Sequence, residues 1–399
     1  MLFDKNVTCF LIASAYLAAF FITIFKINHQ AERTKFKLSF QAKYHGYLII
    51  AFAAIISIAG EVIFFYINSN FFGLESLLIN SILLLILAII IIKPSFNAKR
   101  YVESLNKVIF TFMCRMTIAL TLVLVLVILF NAWPFFKEIP LHKYLLGTYW
   151  NPQTAELAGY RQNSFGLLPV LSGTLLVAFI SIIIALPIGL LSAIYLAEFA
   201  GSKFKATAKS TIELLAGVPT VVYGYFAAII VGPKIRQLGE MLGLEMGSES
   251  ALAAGVVMGI MIMPYITSLS EDVLTSVPRT IRDGAIALGL TRSETVVGLV
   301  LPIAAPGILA ATLLAISRAI GETMIVAMAA GLSAKMTVNP FDSVTTITVQ
   351  IVRLLSGDQE YGSITTSSAF ALALTLFLMT LLLNSFASAM INKYRKKYE

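Results

Sequence analysis

The stretch Arg282-Asp283-Gly284-Ala285-Ile286-Ala287-Leu288-Gly289, then nine residues, then Leu299-Val300-Leu301-Pro302, lies between two apolar segments of membrane length. Its local chemistry predicts a helix, a break and a second helix. Ile281, Ala285 and Leu288 recur at helical spacing and fall on one face. Gly289 is the residue type that ends a helix in the left-handed conformation, and Thr291-Arg292-Ser293-Glu294 has the spacing of a capping box. Pro302 suits the first turn of the apolar helix that follows. A two-helix knob between membrane spans is a shape on which another protein can push.

The rest of the chain places that knob in a membrane. Its 399 residues are 58% hydrophobic and 13% charged, and the mean hydropathy is +0.87. This composition is that of an all-α polytopic membrane protein. About nine stretches are long enough to cross the hydrocarbon core as helices, at 7–25, 47–66, 74–92, 108–131, 168–195, 213–233, 251–269, 300–331 and 366–391. The first has a poor positive leader, with Asp4 beside Lys5, and a basic cluster after it, so it reads as a span and not as a secretory signal.

Basic charge alternates between the connecting segments. Lys26 to Lys43, Lys93 to Lys107, Lys203 to Lys209, Arg279 to Arg292 and Lys393 to Lys397 together hold 19 of the 29 lysines and arginines. The positive-inside rule puts these segments in the cytoplasm, the N-terminus outside and the C-terminus inside. The net charge of +8 is then a topology signal, spread over loops, and gives no footprint for nucleic acid.

Other classes find little support. Cys9 and Cys114 lie in or beside apolar segments, and His29, His45 and His142 have no ligand spacing, so neither a disulfide framework nor a metal site is suggested. No G-x-x-x-x-G-K-[ST], G-x-S-x-G or H-E-x-x-H run occurs. The chain reads as a transport subunit and not an enzyme, with no cofactor of its own; any ATP that drives it binds another subunit. An ion-driven secondary carrier or channel for an anion is the alternative.

The chain divides near residue 108. Residues 1–107 carry three spans and read as an extension; residues 108–399 carry six. Pro187 with Gly189, Gly217-Val218-Pro219-Thr220 with Gly224, and Pro264 are expected to interrupt consecutive spans around a path. In the eighth span Arg318 and Glu322 stand four apart, which in one helix puts them on a common face with Ala311, Ala315 and Ala329. A charge in an apolar helix costs about 2.5–3.5 kcal/mol on an insertion scale, so the pair is expected to face a bundle interior or an aqueous path. It serves either as an internal ion pair or as a translocation site in which the guanidinium meets an oxyanion. Arg115, about two turns from the expected cytoplasmic end of its span, reads as a residue that snorkels to the interface.

Residues 108–399 resemble the integral-membrane permease subunits of bacterial ABC importers. That family's coupling motif reads Glu-Ala-Ala, three residues, Gly, nine residues, Ile-x-Leu-Pro. Here Asp283-Gly284-Ala285, Gly289 and Leu299-Val300-Leu301-Pro302 keep the spacing, with Asp283, Gly284 and Leu299 as departures. Arg318-Ala319-Ile320-Gly321-Glu322-Thr323-Met324, Leu215 to Phe226, and Trp150-Asn151-Pro152 are similar to the PstC-type permeases of phosphate importers. The resemblance implies a six-helix permease core, with a cytoplasmic ATPase dimer docking at a coupling region over 277–298 and Arg318, Glu322 and Thr323 along the phosphate path. It also implies a PstA-type sister permease as heterodimer partner, an extracytoplasmic phosphate-binding protein, and a setting among the lipids of the bacterial inner membrane.

Overall fold

The structure is a computed structural model that describes residues 19–29, 44, 45, 47, 49, 86, 98–156, 163–243, 247–356 and 362–398. The spans expected at 7–25, 47–66 and 74–92 fall largely outside those residues; 19–29 is helical. The chain forms two compact units, Met1–Leu122 and Val123–Glu399. Among the described residues the secondary structure is helical, apart from one isolated bridge between Trp150 and Phe165.

Helix α1 runs from Ala98 to Glu138, about 60 Å at the usual rise. Its most apolar window is wholly unburied within the chain, as suits a helix facing lipid or another subunit. At its C-terminal end Phe135 and Ile139 enter a core with Tyr144, of the short helix α2 (Leu141–Leu146), and with Trp150 and Phe165.

The centre of the second unit is the pair α3 (Leu168–Ile194) and α7 (Ala251–Ser276). Small residues let these helices approach. A Cβ on Gly255 would sit 2.6 Å from Cγ2 of Ile180, and one on Gly259 would sit 3.0 Å from the Ser181 carbonyl oxygen. The prolines expected to interrupt these spans do not. Pro187 and Pro264 lie inside unbroken helices, and Gly189 packs against Ile266 of α7, 3.0 Å from where its Cβ would stand. Packing against neighbours keeps each helix continuous through one missing hydrogen bond.

The span expected at 213–233 is broken. Helix α4 (Ser202–Ala216) ends at Gly217, and the chain turns by 81° before continuing through α5 (Thr220–Phe226) and α6 (Gly232–Met241). Pro219 explains the break, since it takes the N-cap position of α5 and forces Val218 away from the helical region.

After α7 come α8 (Arg279–Ala287), α9 (Arg292–Thr295) and α10 (Leu301–Ile320). Beyond a break at Gly321–Thr323 follow α11 (Met324–Ala329), an extended return, α12 (Ile347–Leu355) and α13 (Ile364–Tyr398). In that return the Asp342 carboxylate accepts from Thr337 Oγ1 at 2.6 Å, Lys335 Nζ at 3.0 Å and Asn339 Nδ2 at 3.2 Å.

Two π-turns precede prolines in the same way. Ala227–Val231 is followed by Gly232-Pro233, and Val296–Val300 by Leu301-Pro302. The wider turn moves apart the carbonyl that a proline ring would strike, and proline has no N–H to miss. Pro302 stands in the first turn of α10, as expected, although the π-turn joins that helix to α9 without a gap. It sits within one continuous rod from Arg292 to Ile320, and that rod is one of the membrane spans.

Among the described residues five helices are long and apolar enough to cross a membrane: Lys99–Glu138, Leu168–Phe199, Ala251–Ser276, Arg292–Ile320 and Ile364–Ile391. The bent pair from Ser202 to Met241 makes six if counted as one, the number expected after residue 107.

Candidate functional site

The knob is built from its sequence signals. Pro278 precedes α8, and Ala285 is its buried residue. Gly289 ends the helix with φ +89°. The Gly289 amide donates to the Ile286 carbonyl at 2.9 Å and the Leu290 amide to the Ala285 carbonyl at 3.2 Å, the two bonds of a Schellman motif. Two residues on, the Glu294 amide donates to Thr291 Oγ1 at 3.3 Å and the Thr291 amide to Glu294 Oε2 at 2.8 Å, which completes the capping box.

The face differs from expectation at one position. Ile281 packs against the core cluster of Leu274, Val277 and Val300, but Leu288 is 83% exposed and Ile286 50% exposed. Leu288 is the C-cap, where the backbone leaves the helical path, so the spacing rule no longer aims its side chain inward. The knob thus offers an apolar tip. Asp283 and Gly284 are exposed beside it, Leu299 and Leu301 are half-buried, and Pro302 is exposed.

Arg282 fastens the knob to the bundle. Its Nη2 donates to Glu198 Oε1 at 2.7 Å and to the Leu274 carbonyl at 2.7 Å; its Nε lies 3.1 Å from both Glu198 carboxylate oxygens. Nη1 donates to the Val277 carbonyl. Glu198 belongs to the π-turn Tyr195–Phe199 at the end of α3, and Leu274 and Val277 to the end of α7. One planar guanidinium therefore joins the knob to two spans, a geometry that the point charge of a lysine does not reproduce.

A second clamp stands beside it. Glu271 of α7, with its side chain 5% exposed, receives Lys205 Nζ at 2.6 Å and Lys209 Nζ at 2.9 Å from α4. Sequence reasoning did not single out Glu198 or Glu271. The available signal was an acid near the end of an apolar span opposite a basic loop; ending the seventh span at 269 hid it, because α7 runs on to Ser276. Beside the two clamps lies an open cleft of ≈ 450 Å³ lined by Glu198, Lys205, Arg279, Arg282, Asp283 and Arg292, among others.

The second candidate region lies at the end of α10. Arg318 is in the last turn of that helix, and Gly321 caps it. Glu322 lies past the cap, in the break, so the two do not share a helical face as expected; Ala311 and Ala315 remain buried on α10 while Ala329 belongs to α11. Among the described residues Arg318 makes no ion pair with Glu322; its guanidinium sits over the ring of Tyr265, 5.6 Å from the centroid. Glu322 Oε1 instead accepts from the Met324 amide at 3.1 Å, at the start of α11. Thr323 is the N-cap of α11, with its hydroxyl 3.5 Å from the Gly321 carbonyl oxygen.

Hydroxyl groups occupy the space around the break. Thr348 Oγ1 donates to the Glu322 carbonyl at 2.8 Å, and the Ile347 amide donates to Thr174 Oγ1 at 3.0 Å. Thr348 of α12 thus satisfies a backbone carbonyl freed where α10 stops, and Thr174 of α3 an amide at the start of α12, the condition under which irregular backbone survives at membrane depth.

The described residues form a helical bundle of up to six candidate membrane spans with a capped knob anchored to the ends of two of them, the build of a membrane-embedded component. The chain belongs to the family of binding-protein-dependent transport system inner membrane components, whose model matches residues 185–396. It is 34% identical over 241 residues to the probable ABC transporter permease protein YqgH of Bacillus subtilis strain 168, covering 60% of this chain and 74% of that protein. It is 31% identical over 263 residues to the phosphate transport system permease protein PstC of Mesorhizobium japonicum, covering 62% and 77%. With PstC of Haemophilus influenzae it shares 29% identity over 311 residues, covering 74% and 95%. The family match includes the knob, Pro302 and the break at Arg318 to Thr323.

Proposed function

We propose that this chain is the PstC-type permease of an ATP-driven phosphate importer, working with a PstA-type sister permease, a cytoplasmic ATPase dimer and an extracytoplasmic phosphate-binding protein. The observation that carries the reading is the Arg282 anchor, which ties the knob to the ends of α3 and α7. In this account Asp283, Gly284, Ala285 and Gly289 form the part that meets the ATPase, and Leu299, Leu301 and Pro302 carry displacement into the rod that ends at Arg318. ATP binding closes the ATPases, moves the knob and opens the path outward; hydrolysis resets it.

The path residues are Arg318, Glu322 and Thr323. Arg318 supplies a planar donor set suited to an oxyanion, and its side chain is exposed while its guanidinium sits over the Tyr265 ring. Glu322 and Thr323 shape the break that faces it. The coupling region is cytoplasmic, the N-terminus outside and the C-terminus inside, with residues 1–107 as an added three-span segment. The phosphate relatives support this substrate. Competition among phosphate, molybdate and sulfate for uptake by the assembled transporter tests it: displacement of labelled phosphate by unlabelled phosphate alone is expected, and equal displacement by molybdate would assign a broader oxyanion permease.

A further inference from the structure

Trp150-Asn151-Pro152, one of the stretches similar to phosphate permeases, takes no part in the knob or the break. It walls a second cavity, of ≈ 220 Å³, with Gln153, Gln350 and Arg353 among the other lining residues. This cavity lies at the end of α3 opposite the knob. Trp150 bridges to Phe165, just ahead of Leu168 where α3 begins, whereas Glu198 and its partner Arg282 stand beyond the other end. The 27 residues of α3, about 40 Å of helix, separate the two.

The floor of the cavity is fixed by hydrogen bonds. Trp150 is 4% and Gln350 2% exposed. Trp150 Nε1 donates to Gln350 Oε1 at 3.1 Å, and Gln350 Nε2 donates to Thr345 Oγ1 at 3.1 Å. Arg353 stands three residues after Gln350 on α12 and is exposed. The lining contains no carboxylate, and Arg353 makes no ion pair among the described residues. The dipole of α12 favours a cation in its last turn, so the charge is stable there without an acidic partner.

A planar guanidinium beside side-chain amides, with no opposing negative charge, is chemistry for an oxyanion. The volume is below the about 300–1,000 Å³ of sites for drug-sized ligands, which suits a small ion. The same helix also reaches the break. The Thr346 and Thr348 hydroxyls are 2.9 Å apart, and Thr348 Oγ1 donates to the Glu322 carbonyl at 2.8 Å. Helix α12 therefore has its first turn against the segment that carries Glu322 and Thr323, and its last turn in the cavity, about 13 Å away at the usual rise.

We propose that this cavity is an entry site for free inorganic phosphate, where Arg353 receives the oxyanion before it reaches Arg318. The proposal rests on the phosphate-permease reading above and adds to it a second site, at the end of the bundle away from the knob.

The test is equilibrium binding of labelled phosphate to the assembled permease–ATPase complex in maltoside detergent, without the binding protein. Arg318→Ala serves as the background, so that the other site on the path is removed. Phosphate should still bind there, and adding Arg353→Gln should weaken binding by about tenfold, the scale of one lost charge-assisted contact. Adding Arg353→Lys, which keeps the charge, should stay within about threefold. Arg353 is exposed, and an unchanged thermal midpoint of the complex shows that the fold is intact. Equal binding with and without Arg353→Gln, or no phosphate binding in the Arg318→Ala background, would overturn the entry site and leave the phosphate-permease reading standing. Weaker capture of the binding protein by Arg353→Gln, with phosphate binding unchanged, would assign the arginine to that protein's docking and also overturn the proposal. Displacement of the phosphate by added phosphatidylglycerol would do the same in favour of a lipid headgroup. Sulfate bound in place of phosphate, and lost in Arg353→Gln, would instead overturn the phosphate reading itself.

Discussion

Arg282 holds Glu198 through two of its nitrogens, Nη2 to Oε1 at 2.7 Å and Nε to both carboxylate oxygens at 3.1 Å, while Nη2 also reaches the Leu274 carbonyl at 2.7 Å. The side chains are 17% and 10% exposed. This link joins the short helix α8 to the ends of two spans, so a force on the knob is shared between α3 and α7.

Replacing that link should separate hydrolysis from transport. Charge-assisted hydrogen bonds are worth about 1.5–3 kcal/mol each. In Arg282→Lys the fork is lost and the charge is kept, so phosphate moved per ATP hydrolysed should fall about tenfold, within the usual 1–3 kcal/mol range of coupling free energies. Glu198→Gln should do the same. Simultaneous measurement of hydrolysis and uptake checks this; an unchanged ratio in both variants would make the pair a packing feature only.

Gly289 should resist any substitution by a β-branched residue. At φ +89° the obstacle is backbone strain and not space, since a Cβ there would meet nothing within 4 Å. Forcing an L residue with a side chain into the left-handed region costs about 1–2 kcal/mol. Gly289→Val should therefore reduce co-purification of the ATPase, whereas Gly289→Asn, which tolerates that region better, should keep most of it. Equal retention of ATPase by both variants would contradict the requirement for this turn.

The legible part of this fold was the part written in local rules. Gly289 and the Thr291–Glu294 box appear in the structure as the spacing predicted, because caps are set within a few residues. The break at Gly217–Pro219 was also legible, although the span drawn through it was not. Pro187 and Pro264 misled because a single proline in a membrane helix is neutral until its neighbours are known; here tight packing of α3 on α7 keeps both helices whole. Arg318 and Glu322 were separated by the helix end at Gly321, beyond which the Glu322 carbonyl is taken up by Thr348, 26 residues away. Glu198 and Glu271 showed in the sequence only as acids near the ends of apolar spans opposite basic loops, since their partners are 84 and 62 to 66 residues away.

The return segment should loosen in acid. Hydrogen bonds from Thr337 and then Lys335 hold the Asp342 carboxyl below its ordinary value of 3.8. A depressed carboxylate contributes stability that is fully present above its unfolded value and disappears as pH falls through the lower folded value. The amide protection factor over 335–342, that is exchange corrected for its intrinsic pH dependence, should thus be high and flat above about pH 5 and fall as the pH drops below 4. Asp342→Asn should exchange faster at neutral pH and lose the acid-dependent step; retention of that step in the variant would assign it to another group.

Arg318→Ala should abolish uptake with the complex still assembled. The guanidinium stacks on Tyr265 and makes no ion pair among the described residues, so its removal leaves no buried charge unmatched. Arg318→Lys keeps charge without the planar fork and should retain a fraction of the rate. Uptake kinetics and subunit stoichiometry, measured on the same preparation, check both. Normal kinetics in Arg318→Ala would remove this residue from the path.

The central claim is that this chain moves phosphate only when a separate ATPase drives it through the knob. The direct measurement is entry of labelled phosphate into proteoliposomes that hold the two permease subunits and the binding protein, with and without the ATPase dimer. The account predicts uptake that requires both ATP and the ATPase, and that the Arg282→Lys variant reduces while hydrolysis continues. Uptake by the permease alone, driven by an ion gradient in the absence of ATP, would contradict it.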